Sequence, residues 1–67
     1  MTTTKMRFYF TVVEQAGYVG EQDVRTCFST AQAALAWRKR HYGADEIESM
    51  HVEVRKDFED GSQTYDF

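Results

Sequence analysis

A chain of 67 residues with 11 Asp and Glu against 8 Lys and Arg, for a formal net charge of -3, has room for one small acidic domain over residues 1–67; a chain this short buries only about 60% of the surface its unfolded form exposes. Cys27 is the only cysteine, which excludes an intrachain disulfide and suits a reducing, cytoplasmic compartment. No stretch approaches the ~20 apolar residues of a membrane span, and "MTTTKMRFYF" lacks the apolar run of a secretory leader, so neither the membrane nor secretion is expected.

Residues 1–5 read as a flexible N-terminus. From Met6 to Val13 the chain alternates, with Met6, Phe8, Phe10 and Val12 on one side and Arg7, Tyr9, Thr11 and Val13 on the other, the pattern of a strand with one apolar face. The stretch "EQAGYVGEQD" supplies Gly17 and Gly20, which tolerate the positive φ of a turn, and leads into "VRTCFS", a second strand. Pairing Val12 with Val24 would set Phe10 against Thr26 and Phe8 against Phe28, aromatic on aromatic on the buried side.

"STAQAALAWRKRHYG" predicts a helix, with Ser29 as its cap, Gln32 completing a capping box and Gly43 closing it in the left-handed region. At 100° per residue, Ala31, Ala34, Leu35, Trp37 and Tyr42 share a broad face toward the sheet, while Gln32, Ala36, Lys39 and Arg40 look outward. "ADEIES" reads as an acidic connector. A third strand follows over "MHVEVRKDF", with Met50, Val52, Val54 and Phe58 on the apolar side. The Asp-Gly of "EDGS" predicts a tight hairpin into "QTYDF", setting Val54 opposite Phe67, Lys56 opposite Tyr65 and Arg55 opposite Asp66. The sum is an α+β, two-layer ββαββ domain. It is expected to have an antiparallel sheet of order 2-1-3-4, one helix on one face and the other face open to solvent.

The residues that carry chemistry form no recognisable catalytic constellation. His41 and His51 lack the spacing of a metal site, and Cys27 lies two strands from His51, without a base. The carboxylates are spread along a connector, a strand face and a turn. "GYVG" precedes a strand instead of opening a helix, so it does not cradle phosphate. No enzyme activity, cofactor or metal is therefore expected.

Two features suit binding. Tyr18 and Val19, flanked by glycines at a hairpin tip, have no evident core to enter, so they are either a plug under the sheet edge or an anchor for a partner. The run "AWRKRHYG" groups Trp37 and Tyr42 with Arg38, Lys39 and Arg40. That grouping suits a phosphate backbone or a protein-docking edge, but it is also what a helix C-terminus favours for its own dipole, with the acids of "ADEIE" at hand to neutralise it. Tyr9, on the open sheet face, completes the candidate binding set.

In composition the chain resembles the small acidic accessory proteins of bacteriophages and mobile elements, inhibitors of host defence among them. That resemblance implies a protein that binds and inhibits a host protein, with monomer and homodimer both open; the alternative is a small RNA- or DNA-binding module that uses the basic helix end.

Overall fold

The computed structural model describes residues 7–67; Met6 and the expected flexible segment 1–5 lie outside them. Its elements run β1 (Phe8–Glu14), β2 (Gln22–Phe28), α1 (Ala31–His41), α2 (Ala44–Ser49), β3 (Glu53–Phe58) and β4 (Gln63–Thr64). The sheet is four-stranded and antiparallel in the order β2-β1-β3-β4, as the alternation predicts. Phe10, Val12, Val52 and Val54 form the buried core with Ala34 of α1, and Phe28, Ala31, Trp37, Tyr42, Ile47 and Met50 pack around it.

"ADEIES" is a second helix rather than a connector. Gly43 sits at its N-terminus with φ -72°, outside the left-handed region, and donates its N–H to Glu46 Oε1 at 2.8 Å. Asp45 and Glu46 in the first turn favour a helix at this point because the N-terminal end of the dipole is positive. α1 consequently ends one residue earlier, on Tyr42, in an extended conformation. At its other end the cap is Thr30, not Ser29: Thr30 Oγ1 accepts from Ala33 N–H at 3.1 Å, with no part for Gln32. Because α1 turns Ala31, Ala34 and Trp37 inward, Leu35 is left 41% exposed and does not join the core face expected of it.

Two register shifts in β2 overturn the expected pairing with β1. Phe28 lies opposite Phe10 and Arg25 opposite Val12, with an irregularity on each side of that second pair. Cys27 is the residue displaced by one of them, in the left-handed region at φ 67°. A bulge of this kind lets one extra residue pass without a partner and bends the strand. Thr26 therefore meets Thr11, with their hydroxyls 2.9 Å apart, instead of Phe10. Val24 is 39% exposed, and Cys27 is exposed too.

The β3–β4 hairpin is also one residue out of the expected register: Lys56 pairs with Thr64 and Asp57 with Gln63. The chain turns through Glu59, Asp60 and Gly61, with Gly61 N–H donating to the Phe58 carbonyl and Phe58 N–H to the Ser62 carbonyl. Gly61 takes φ 91°, which an L side chain rarely adopts. A three-residue loop moves the pairing by one position relative to a two-residue loop, and a shift of one residue exchanges the faces of the returning strand. Tyr65 thus moves away from the helix side and Thr64 takes its place. Asp66 folds back onto Thr64 and does not face Arg55.

The sheet face away from the helices is closed at its centre. Thr11, Val13, Arg55 and Asp57 are each 4% exposed or less. The expected open face is covered because the bent β2 and the chain entering it bring Asp23, Thr26 and Glu21 over it, while the chain leaving β4 contributes Tyr65.

The core assignment and the phase of α1 make separate predictions. Phe10→Ala should cost about 3–5 kcal/mol, as truncation of a buried Phe does, whereas Leu35→Ala, half in water, should cost about 1 kcal/mol or less. Chemical denaturation of both variants reads the difference. Equal losses would put Leu35 back in the core.

Candidate functional site

The hairpin tip between β1 and β2 is held from both sides. Tyr18 N–H donates to the Gln15 carbonyl at 3.0 Å and Glu21 N–H to the Tyr18 carbonyl at 3.1 Å, so the loop is a pair of tight turns. Gly17 and Gly20, at φ 80° and 95°, supply the conformations those turns require. Gln15, itself in the left-handed region at φ 55°, donates its N–H to the Met50 carbonyl at 2.8 Å, and Ala16 N–H donates to the His51 carbonyl at 3.0 Å. The base of the loop is thereby tied to the turn that enters β3.

Tyr18 lies against the His51 ring at a centroid distance of 4.4 Å and is 57% exposed. Val19 is fully exposed. Neither side chain plugs the sheet edge. His51 belongs to this tip and not to the strand face expected of it: it sits in the turn before β3 with φ 50°, a conformation that His tolerates better than most residues.

Glu21 joins the tip to the rest of the molecule. Its Oε2 accepts from Gly17 N–H at 2.8 Å and from the Tyr65 hydroxyl at 2.7 Å, while Oε1 accepts from Arg55 NH1 at 3.3 Å. These donors hold the Glu21 carboxyl below its ordinary pKa, the Gly17 N–H most strongly, then Tyr65. Behind it, the buried Arg55 donates to Asp57 at 2.6 and 3.1 Å and to Asp23 at 3.0 Å. The Asp57 hydrogen bonds are the main reason the guanidinium binds its proton even more tightly than usual. Thr11 Oγ1 adds a 2.7 Å bond to Asp57. Burial, then the Glu21 hydrogen bond, pushes the Tyr65 hydroxyl up to about 12.

The basic helix end is broken up by its own partners. Arg38 falls on the sheet side of α1, where NH1 donates to the Val52 carbonyl at 3.0 Å and lies 3.8 Å from Glu53, while its Nε is enclosed without a hydrogen-bond partner. The Tyr42 hydroxyl donates to Glu14 at 2.6 Å and is pushed up to about 12, by burial first and by that bond second. Trp37 is half-buried under His41, the rings stacked at 4.0 Å, with His41 Nδ1 2.9 Å from the Trp37 carbonyl. Of the Lys and Arg side chains of the run, Lys39 and Arg40 are exposed and outside the ion pairs of the described residues. The acids expected to neutralise this end, Asp45, Glu46 and Glu48, make none of those pairs; Glu53 does.

The fold brings the hairpin tip and the helix end to the same end of the sheet, through Tyr42 on Glu14 and Tyr18 on His51. Tyr9, 39% exposed and paired with Asp57, lies five residues back along β1 from Glu14, about 15–20 Å away at the rise of a strand. It is not part of that surface. Glu21 and His51 are the members that sequence patterning misses. The available signal for Glu21 is its place four residues beyond Gly17, within reach of that amide; His51 carries none, because its position depends on α2.

The pH response of the tip has a definite sign. Because the pKa of Glu21 is lower in the folded chain than its ordinary value of about 4.5, its contribution is fully present above that pH and is lost as pH falls through the folded value. Acid titration of the Gly17 amide by NMR should show a transition below pH 4.5. Glu21→Gln should remove it and raise the exchange rate of the tip amides. A wild-type transition at or above the ordinary carboxyl value would show that these bonds do not hold the loop.

Comparison of the chain with protein-family models, with curated proteins and with solved structures returns no significant match.

Proposed function

We propose that this chain is a non-catalytic binding protein that docks a protein partner through the hairpin tip, with Val19 as the leading side chain and Tyr18 beside it. The observation that carries the reading is an apolar side chain held fully in water on a loop whose conformation is already set. Lone exposed valines are common. One fixed at the end of a tied loop gives up little conformational entropy on docking, which favours a defined binding event.

The partner would present a shallow apolar recess to Val19. Glu14, Glu21 and the acids of α2, all toward this end of the sheet, outnumber the exposed Lys39 and Arg40 there, which favours a basic rim around it and an association rate that falls with salt. A cytoplasmic accessory protein of phage or mobile-element type, occluding a host protein's own site, is the form the composition suggests. The RNA- or DNA-binding alternative loses support where Arg38 and Tyr42 are taken up inside the fold, since at the helix end Lys39 and Arg40 are then the two Lys and Arg side chains left for a phosphate backbone.

The test is affinity capture from a bacterial lysate with and without nuclease, comparing the wild type with Tyr18→Ala and Val19→Asp. A captured protein should survive nuclease and bind the Val19 variant at least about tenfold more weakly, equivalent to about 1.4 kcal/mol, with no change in melting temperature. Capture unaffected by both substitutions would rule out the tip as the docking element.

A second variant, Lys39→Glu with Arg40→Glu, should melt like the parent and retain the captured protein. If the wild type instead holds nucleic acid that nuclease removes and this variant fails to bind it, the basic helix end is the functional surface.

A further inference from the structure

We infer that the opposite end of the sheet is a second docking surface, selective for an acidic protein segment whose carboxylate meets Lys56 among phenylalanine rings. Phe8 and Phe58 pair across β1 and β3, with ring centroids 6.2 Å apart; Phe8 also meets Phe10 edge-on at 5.7 Å, and Phe67 lies 5.1 Å from Phe10. α1 begins just after Phe28, the partner of Phe10, and packs along the sheet toward Glu14, where its last turn ends. The Phe8–Phe58 pair therefore lies beyond the helix N-terminus. Phe8 is 46% and Phe67 53% exposed.

Lys56 is the charge inside this patch. Its Nζ stands 4.1 Å from the centre of the Phe8 ring, 5.1 Å from Phe58 and 6.0 Å from Phe10. No carboxylate lies within ion-pair distance of it among the described residues, whereas Arg38 and Arg55 each have at least one. In a chain of net charge -3, a half-buried cation is thus held by ring faces alone, and these leave its ammonium donors available. An incoming carboxylate would complete the ion pair while flanking apolar side chains cover Phe8 and Phe67. A basic segment would meet repulsion, and a neutral one would desolvate Lys56 without compensation. This surface does not depend on the hairpin tip, and its failure would leave the reading of that loop untouched.

The test titrates the ¹⁵N-labelled full chain with the capped hexapeptide Asp-Phe-Asp-Leu-Asp-Phe and with its counterpart carrying Asn at each Asp. The acidic peptide should shift the amides of Phe8, Lys56, Phe58 and Phe67. The Asn peptide should bind at least about tenfold more weakly, the loss expected when a charged hydrogen bond is removed. Lys56→Met, which keeps the apolar stem, should weaken the acidic peptide by a similar factor. Equal affinity for the two peptides, no binding of either, or shifts centred on Tyr18 and Val19 would overturn the inference. The two-peptide comparison on the wild type stands even if the Lys56 variant does not fold.

Discussion

A guanidinium in the middle of a sheet is the constraint on which the rest of this fold depends. Arg55 is 4% exposed, and a charge so enclosed is tolerable only where carboxylates and hydrogen bonds replace its water. Asp57 lies two residues along the same strand and provides the shortest contact. The remaining donors require other parts of the chain: Asp23 from β2 and Glu21 from the loop before it. Satisfying one side chain therefore draws the edge strand and the hairpin over the sheet. Removing either Asp57 or Arg55 alone would leave the other's buried charge without its main partner, which is why networks of this kind act as a unit.

Two local irregularities make that enclosure possible. The register shifts in β2 bend it and turn Thr26 toward Thr11, so that an edge strand expected to lie flat curls across the sheet. The same irregularities interrupt the regular row of donors and acceptors along the outer edge of β2, which hinders pairing with another chain there. On the other side, the three-residue turn at Glu59, Asp60 and Gly61 sets the register that lets Tyr65 reach Glu21. The bulged strand and the turn thus supply opposite walls of one polar cluster.

The two ends of the sheet then differ in character. At the Glu14 end, polar ties fix a small apolar protrusion: Glu21 holds the Gly17 amide, Tyr42 holds Glu14 and His51 supports Tyr18. At the Phe8 end, phenylalanine rings surround the Lys56 ammonium. The partners proposed for the two ends accordingly differ in charge, basic at the valine and acidic at the lysine.

Much of the architecture was legible in the chain itself. Alternation at Phe8, Phe10 and Val12 and at Val52 and Val54 specified two strands and their apolar side, and the alanines at 31 and 34 specified a helix that packs closely on a sheet, although its cap is Thr30 and not the expected Ser29. These signals are local and periodic, so they survive without knowledge of neighbours. That Tyr18 and Val19 form a glycine-flanked hairpin tip was legible for the same reason; that they protrude instead of plugging the sheet edge was not. What tertiary structure decided was every feature set by competition between distant groups. The bulge at Cys27, the one-residue change at Tyr65 and the exposure of Leu35 each depend on which register buries Arg55 with its carboxylates and Val12 with Ala34 at once. Arg38 read as part of a cationic patch until the carbonyl of Val52 came within reach of it. Composition sets the number of charges; only the packed chain determines which of them remain for a partner, because a buried or half-buried charge takes the nearest group that can replace its water.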